Sequence, residues 1–205
     1  MNPSEYPLRT SHPPRTHYPG ALIALHWLTL ALLLAVYALI EWHDALPKTS
    51  GLRALAKHWH EMMGLAVLVV ALVRLPLRLL LGAPPQLSGP QWQRRAALAM
   101  HWLLYLFLLC TPLLGWLYLS AKGTPVPFFG LQLPALIAPD KLLAPGVKEI
   151  HEAIATAGYW LIGGHAAAAL MHHWLLGDAT LARMSPKAMR GGERICGPRG
   201  VYRRE

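Results

Sequence analysis

Four long apolar stretches, a low charged fraction and a lopsided distribution of lysine and arginine predict an all-α fold. The expected architecture is a membrane-embedded four-helix bundle, N-in and C-in, with both termini cytoplasmic. Of 205 residues, 54% are hydrophobic and 14% charged, where about a quarter charged is usual for a soluble domain. Residues 20–41, 54–81, 95–120 and 147–176 are apolar runs, each as long as the ~20 residues a helix needs to cross the hydrocarbon core. With the amino terminus inside, Lys and Arg divide thirteen inside to six outside. The inside set is Arg9, Arg15, Arg74, Arg78, Arg94, Arg95 and seven in the carboxyl tail; the outside set is Lys48, Arg53, Lys57, Lys122, Lys141 and Lys148. That excess is the positive-inside signature, and it orients four spans. The chain then divides into a cytoplasmic tail (1–19), the bundle (20–176) and a basic cytoplasmic tail (177–205).

The elements follow in order. Pro3, Pro7, Pro13, Pro14 and Pro19 oppose helix formation in the first tail. Span one opens with GALIALHWL, and a short external loop over residues 42–53 leads to span two. Pro84, Pro85 and Pro90 mark the cytoplasmic loop, residues 82–92. Span three carries Thr111-Pro112, a local kink whose freed carbonyl neighbouring groups must satisfy. The second external loop, residues 121–146, is the longest and holds Phe128 and Phe129; loops of that length are usually functional or mobile. Span four gathers Gly158, Gly163, Gly164 and the run Ala166 to Ala169, small residues that let helices approach closely or leave room for a flat ligand. Six of eight tryptophans fall near span ends, as in an aromatic belt. Trp27 and Trp160 lie deeper and are expected to fill the bundle.

Composition removes several function classes. The net charge of +9 is topogenic or faces anionic headgroups, so no nucleic-acid partner is expected. Cys110 and Cys196 lie in a span and a tail, so no disulfide is expected; no C-x-x-C-H motif occurs, and two cysteines cannot hold an iron–sulfur cluster. The polar, proline-rich start and the long run after it do not read as a cleaved signal peptide.

Histidine carries the chemistry. Six of eleven lie in or at the ends of the spans: His26, His60, His101, His151, His165 and His172. Intramembrane ionisable residues mark functional sites. His151 and His165 are fourteen residues apart, which on a helix is about 21 Å of rise and only about 40° short of four whole turns. One helix thus offers two imidazoles on one face, near opposite sides of the bilayer. The predicted topology pairs His26 with His165 at the cytoplasmic depth and His60 with His151 at the periplasmic depth. Two imidazoles from facing helices are the axial set of a haem iron. A metal-transport path would want three or four ligands with carboxylates or thiolates among them, and no span holds a deep Asp or Glu. His58 and His60 point about 200° apart, so only one faces the bundle. His101 and His172, with Arg74 and Arg78, gather at the cytoplasmic end, where a propionate or a quinone carbonyl finds donors and histidine can shuttle protons. His173 is expected to face outward.

The stretches ALHWL, HEMMG with LVVALVRLPLR, HWLLYLFLLCTPLLGW, GTPVPFFGLQLP and IHEAIATAGYWLIGGHAAAALMHHWLLGDATLARMSP resemble the prokaryotic cytochrome b561 family, four-helix dihaem proteins of the bacterial inner membrane. The resemblance spans about residues 20–187 and implies two haem b groups, one on His26 and His165 and one on His60 and His151; it selects His60 over His58. The long basic tail and His58 depart from the family pattern. It implies a quinone-linked oxidoreductase passing electrons from a small periplasmic donor, superoxide in one version, to ubiquinone; His101 and His172, by their place beside Arg74 and Arg78, are the catalytic candidates at the quinone. Lys57, Lys141 and Lys148 would draw a small anion, although acids balance bases on that face. The alternative is a membrane-anchor cytochrome b taking electrons from a periplasmic dehydrogenase or hydrogenase. A third class is a haem-free transporter or structural protein. Membrane lipid is a partner in each case, and a periplasmic redox protein and a homodimer stay open.

Overall fold

The structure, a computed structural model, describes residues 17–82, 84 and 90–186. Its elements are α1 (Gly20–Ala45), α2 (Gly51–Leu81), α3 (Gln91–Lys122), β1 (Val126–Phe128), β2 (Leu131–Leu133), α4 (Leu143–Trp174) and a 3₁₀ turn, Ala182–Met184. Arg9, Arg15, Pro85, Cys196 and the basic stretch beyond Pro186 lie outside the described residues.

The helices are 26, 31, 32 and 32 residues long. At 1.5 Å per residue each spans roughly 39–48 Å, more than a hydrocarbon core of about 30 Å. They keep large apolar side chains on the outside: Leu34, Leu80, Leu106 and Trp160 are all exposed. A contiguous apolar exterior of this extent needs lipid against it. The chain is a multi-pass membrane protein with four spans. Trp160 departs from expectation: at 83% exposed it faces away from the bundle. Trp27 sits at the bundle's edge and donates its indole N–H to the carbonyl of Met184.

Local chemistry sets the ends. Pro19 and Pro90 immediately precede α1 and α3, and Ser50 Oγ caps α2 by accepting from the Leu52 amide. Asp140 Oδ1 accepts from the amides of Leu142 and Leu143 at the start of α4. Gly123 closes α3 in the left-handed region, where a side chain would be strained. The long loop between α3 and α4 is more ordered than its length suggests. It contains an antiparallel hairpin whose turn residues Phe129 and Gly130 both have positive φ, as a tight two-residue hairpin turn requires. Val126 buries the hairpin against Leu65 and Leu119.

α1 packs on α2, α2 on α3, and α3 on α4. In lipid the hydrophobic effect does not drive helices together, so close packing and interhelical hydrogen bonds carry the association. Gly158 supplies the packing: a Cβ there would run into Phe107 of α3 and Tyr37 of α1. Phe107 and Leu108 form the mid-level core with Val67 and Ala71 of α2. Tyr37 donates to the Ala155 carbonyl and Tyr159 to Glu41, tying α1 to α4 at that level. Above and below this plug, histidines of α4 face histidines of α1 and α2.

Candidate functional site

Toward one end of the bundle, His60 of α2 meets His151 of α4, with ring centroids 6.5 Å apart. Toward the other end, His26 of α1 meets His165 of α4 at 6.3 Å. Two metal–imidazole bonds of about 2.0–2.1 Å, each extended by roughly 1.1 Å from nitrogen to ring centre, separate two coaxial rings by about 6.3 Å. Both pairs have that spacing. Among the described residues, no three His, Cys, Asp or Glu side chains gather to hold a bare metal ion. A metal clasped by only two imidazoles must bring its other ligands with it, as a porphyrin-bound iron does. One turn from His60 on the same face, a Cβ built on Gly64 meets nothing within 4 Å, so the bundle leaves open volume beside that imidazole.

The α2/α4 pair is held by main chain. His60 Nδ1–H donates to the carbonyl of Val36 and His151 Nδ1–H to that of Thr111, each at 2.9 Å. Both contacts fix the tautomer and leave Nε2 with a free lone pair, the arrangement metal-binding histidines adopt. Gly115 makes the second contact fit: its Cβ would stand 3.3 Å from His151 Cε1. Thr111 precedes Pro112, but the carbonyl that Pro112 orphans by the i−4 rule is that of Leu108. His151 therefore uses a carbonyl that Pro112 does not itself free.

The α1/α4 pair is held differently. Arg74 Nη2 donates to His26 Nδ1 at 3.0 Å. A guanidinium has only donors, so the lone pair of His26 Nδ1 is engaged and the neutral ring carries its proton on Nε2. Binding a metal through Nε2 requires Arg74 to release this ring. The Arg74 guanidinium also lies over Tyr105. The ring of His165 is flanked by those of His26 and His101, the latter at 5.6 Å, and has no hydrogen bond among the described residues.

The remaining histidines separate. His101 donates Nδ1–H to the Ala97 carbonyl of its own helix. His172 turns to Asp178, with Nδ1 2.6 Å from Oδ2, and the structure does not bring it into contact with His101. Sequence reasoning missed Asp178, whose only signal was its place six residues after a span-end histidine. Burial pushes the Asp178 carboxyl up, but hydrogen bonds from Thr180 and His172 outweigh it and hold the group below its usual range. His58 and His173 are exposed.

Comparison with known proteins decides the class. The family model for prokaryotic cytochrome b561 matches residues 17–187. The chain belongs to that family. It is similar to cytochrome b561 homolog 1 of Escherichia coli K12, 36% identical over 80% of this chain and 94% of the relative. It is also similar to the probable superoxide oxidase CybB of Yersinia pestis, 34% identical over 83% and 96%. Cytochrome b562 of Cereibacter sphaeroides is 33% identical over 82% and 94%. A b-type cytochrome of this family is a haem b protein of electron transport, and the paired imidazoles and the open space at Gly64 fit such a group.

Proposed function

We propose that the chain is a dihaem electron carrier of the bacterial inner membrane, with His60 and His151 holding one haem b and His26 and His165 the other. Each haem would supply a one-electron couple. The N-in, C-in orientation, supported by the lysine and arginine distribution, puts the α2/α4 pair at the periplasmic side and the α1/α4 pair at the cytoplasmic side. The donor is a small periplasmic reductant. Superoxide fits, as a relative's name suggests: two superoxide ions each lose one electron and leave as dioxygen. One ubiquinone accepts the two electrons with two protons and leaves as ubiquinol. The nearly equal 6.3 and 6.5 Å spacing of two imidazole pairs supports this reading most.

The residues divide the work. Val36 and Thr111 orient His60 and His151 through their carbonyls. Arg74 and Arg78 offer cationic donors to carboxylate groups at the α1/α4 end. His101 and the His172–Asp178 pair supply protons to the quinone there, since imidazole transfers protons near neutral pH. A reduced-minus-oxidised spectrum with haem quantitation tests the core of the proposal: two haems per chain are expected. A superoxide pulse should then reduce the oxidised protein, and an unreduced spectrum would remove the superoxide version.

A second reading, an anchor cytochrome b for a periplasmic dehydrogenase or hydrogenase, draws on the hairpin, where Phe129 and Leu131 stand exposed. Stable copurification with such an enzyme would favour it.

A further inference from the structure

The end of α3 and the start of α4, beside the hairpin, form an open-sided cavity of about 450 Å³ lined by Tyr118, Lys122, Lys141, Ala144, Pro145 and Lys148. It is separate from both histidine pairs, and its size falls within the roughly 300–1,000 Å³ of ligand pockets. Three ammonium groups frame it. Lys148 is paired with Glu152 at 2.8 Å. Lys122 lies over the Tyr118 ring, 5.9 Å from its centroid, a cation–π placement. Neither Lys122 nor Lys141 has an ion pair among the described residues. The nearby Asp140 uses Oδ1 on the amides that start α4.

Such a cluster selects an anion, and its setting selects which one. The walls between the lysines are aromatic and aliphatic. Next to Lys141, Leu142 and Leu143 are 94% and 43% exposed, so apolar side chains flank the positive rim at the end of a span. Headgroup charge and acyl chain meet at that depth of a bilayer. A free inorganic anion would satisfy the lysines and leave the leucines in water.

We propose that this cavity seats the phosphate of an anionic phospholipid, with Lys122, Lys141 and Lys148 on the headgroup and Leu142 and Leu143 against its acyl chain. The assignment needs neither a particular membrane orientation nor the haem assignment.

The test uses the full chain in nanodiscs of phosphatidylcholine containing spin-labelled phosphatidylglycerol. Expected is a motionally restricted phosphatidylglycerol signal that exceeds that of labelled phosphatidylcholine. In Lys122→Gln/Lys141→Gln the preference should fall roughly 30-fold, because each lysine near an anionic lipid adds about fivefold. Lys57→Gln, a lysine already paired with Glu61, should leave it unchanged, and an intact haem spectrum in all three proteins shows they are folded. Equal selectivity in the double variant and the parent would overturn the site. So would displacement of the labelled lipid by millimolar inorganic phosphate at constant ionic strength, which would make it a pocket for soluble phosphate.

Discussion

His60 and His151 each give Nδ1–H to a main-chain carbonyl, whereas His26 takes a hydrogen bond from Arg74 and His165 rests between two other imidazoles. The spacing is nearly the same at both ends of the bundle, so it alone does not separate them. The second layer of contacts does. Backbone carbonyls orient a ligand and make it more basic, which favours ferric iron and lowers a potential. A guanidinium beside the ligand works the other way, since a nearby cation favours the less positive ferrous state. The comparison predicts a downhill step from the α2/α4 end to the α1/α4 end. It also predicts that the α2/α4 site is ready for its cofactor, while the α1/α4 site must first give up the Arg74–His26 contact.

The largest effects are expected at the proposed ligands. His151→Ala and His165→Ala should each lose one haem, and not the same one, leaving about half of the absorbance in a pyridine haemochrome assay. If either variant kept both haems, the pairing would be wrong. Gly158→Ala sharpens the contrast by striking both ends equally. Its Cβ would press on Phe107 and Tyr37, midway between His151 and His165, and overpacking of this kind costs about 1–3 kcal/mol. Thermal melts followed at the haem band should drop for both haems together. A drop confined to one haem would mean that the mid-level plug does not join the two sites.

Arg74→Gln addresses the asymmetry directly. With the guanidinium gone, the potential at His26/His165 should fall by roughly 40–60 mV, about 1 kcal/mol for one electron, while that at His60/His151 stays within error. A potentiometric titration with two resolved components reads both. Equal shifts in the two components would show that Arg74 acts through overall charge and not through its place at the α1/α4 end.

The four spans were legible because about 20 apolar residues in a row mean the same thing in any membrane protein, and the helix ends lie within a few residues of those read from the sequence. The two histidine levels were legible because His151 and His165 share a helix and one helical face. What holds each imidazole was not. Val36 and Thr111 contribute carbonyls, which every residue has, so their identity carries no signal. The hairpin escaped notice because Pro127 lies in β1, and proline argues against a strand; the Phe129-Gly130 turn was its one positive sign. Trp160 was misplaced because depth along a helix does not report its angle around it.

The smallest predicted effect lies at the α1/α4 end, in the segment after α4. Asp178 holds His172, and its own hydrogen bond to the Thr180 amide tethers the turn leading to Met184 and Trp27. The carboxyl sits below its usual range, so its contribution is fully present above the unfolded value of about 3.9. It is lost only as pH falls through the lower folded value. Between pH 5 and 8 Asp178 should therefore stay ionised, and exchange protection of the Thr180 amide should not depend on its titration. Asp178→Asn should lower that protection at neutral pH, because the amide replaces a charge-assisted acceptor with a weaker one. If the pair also feeds protons to quinone, Asp178→Asn and His172→Ala should slow quinone reduction to the same extent, and the double variant no further. Slower turnover in His172→Ala alone would assign the proton step to the imidazole and leave Asp178 as a tether.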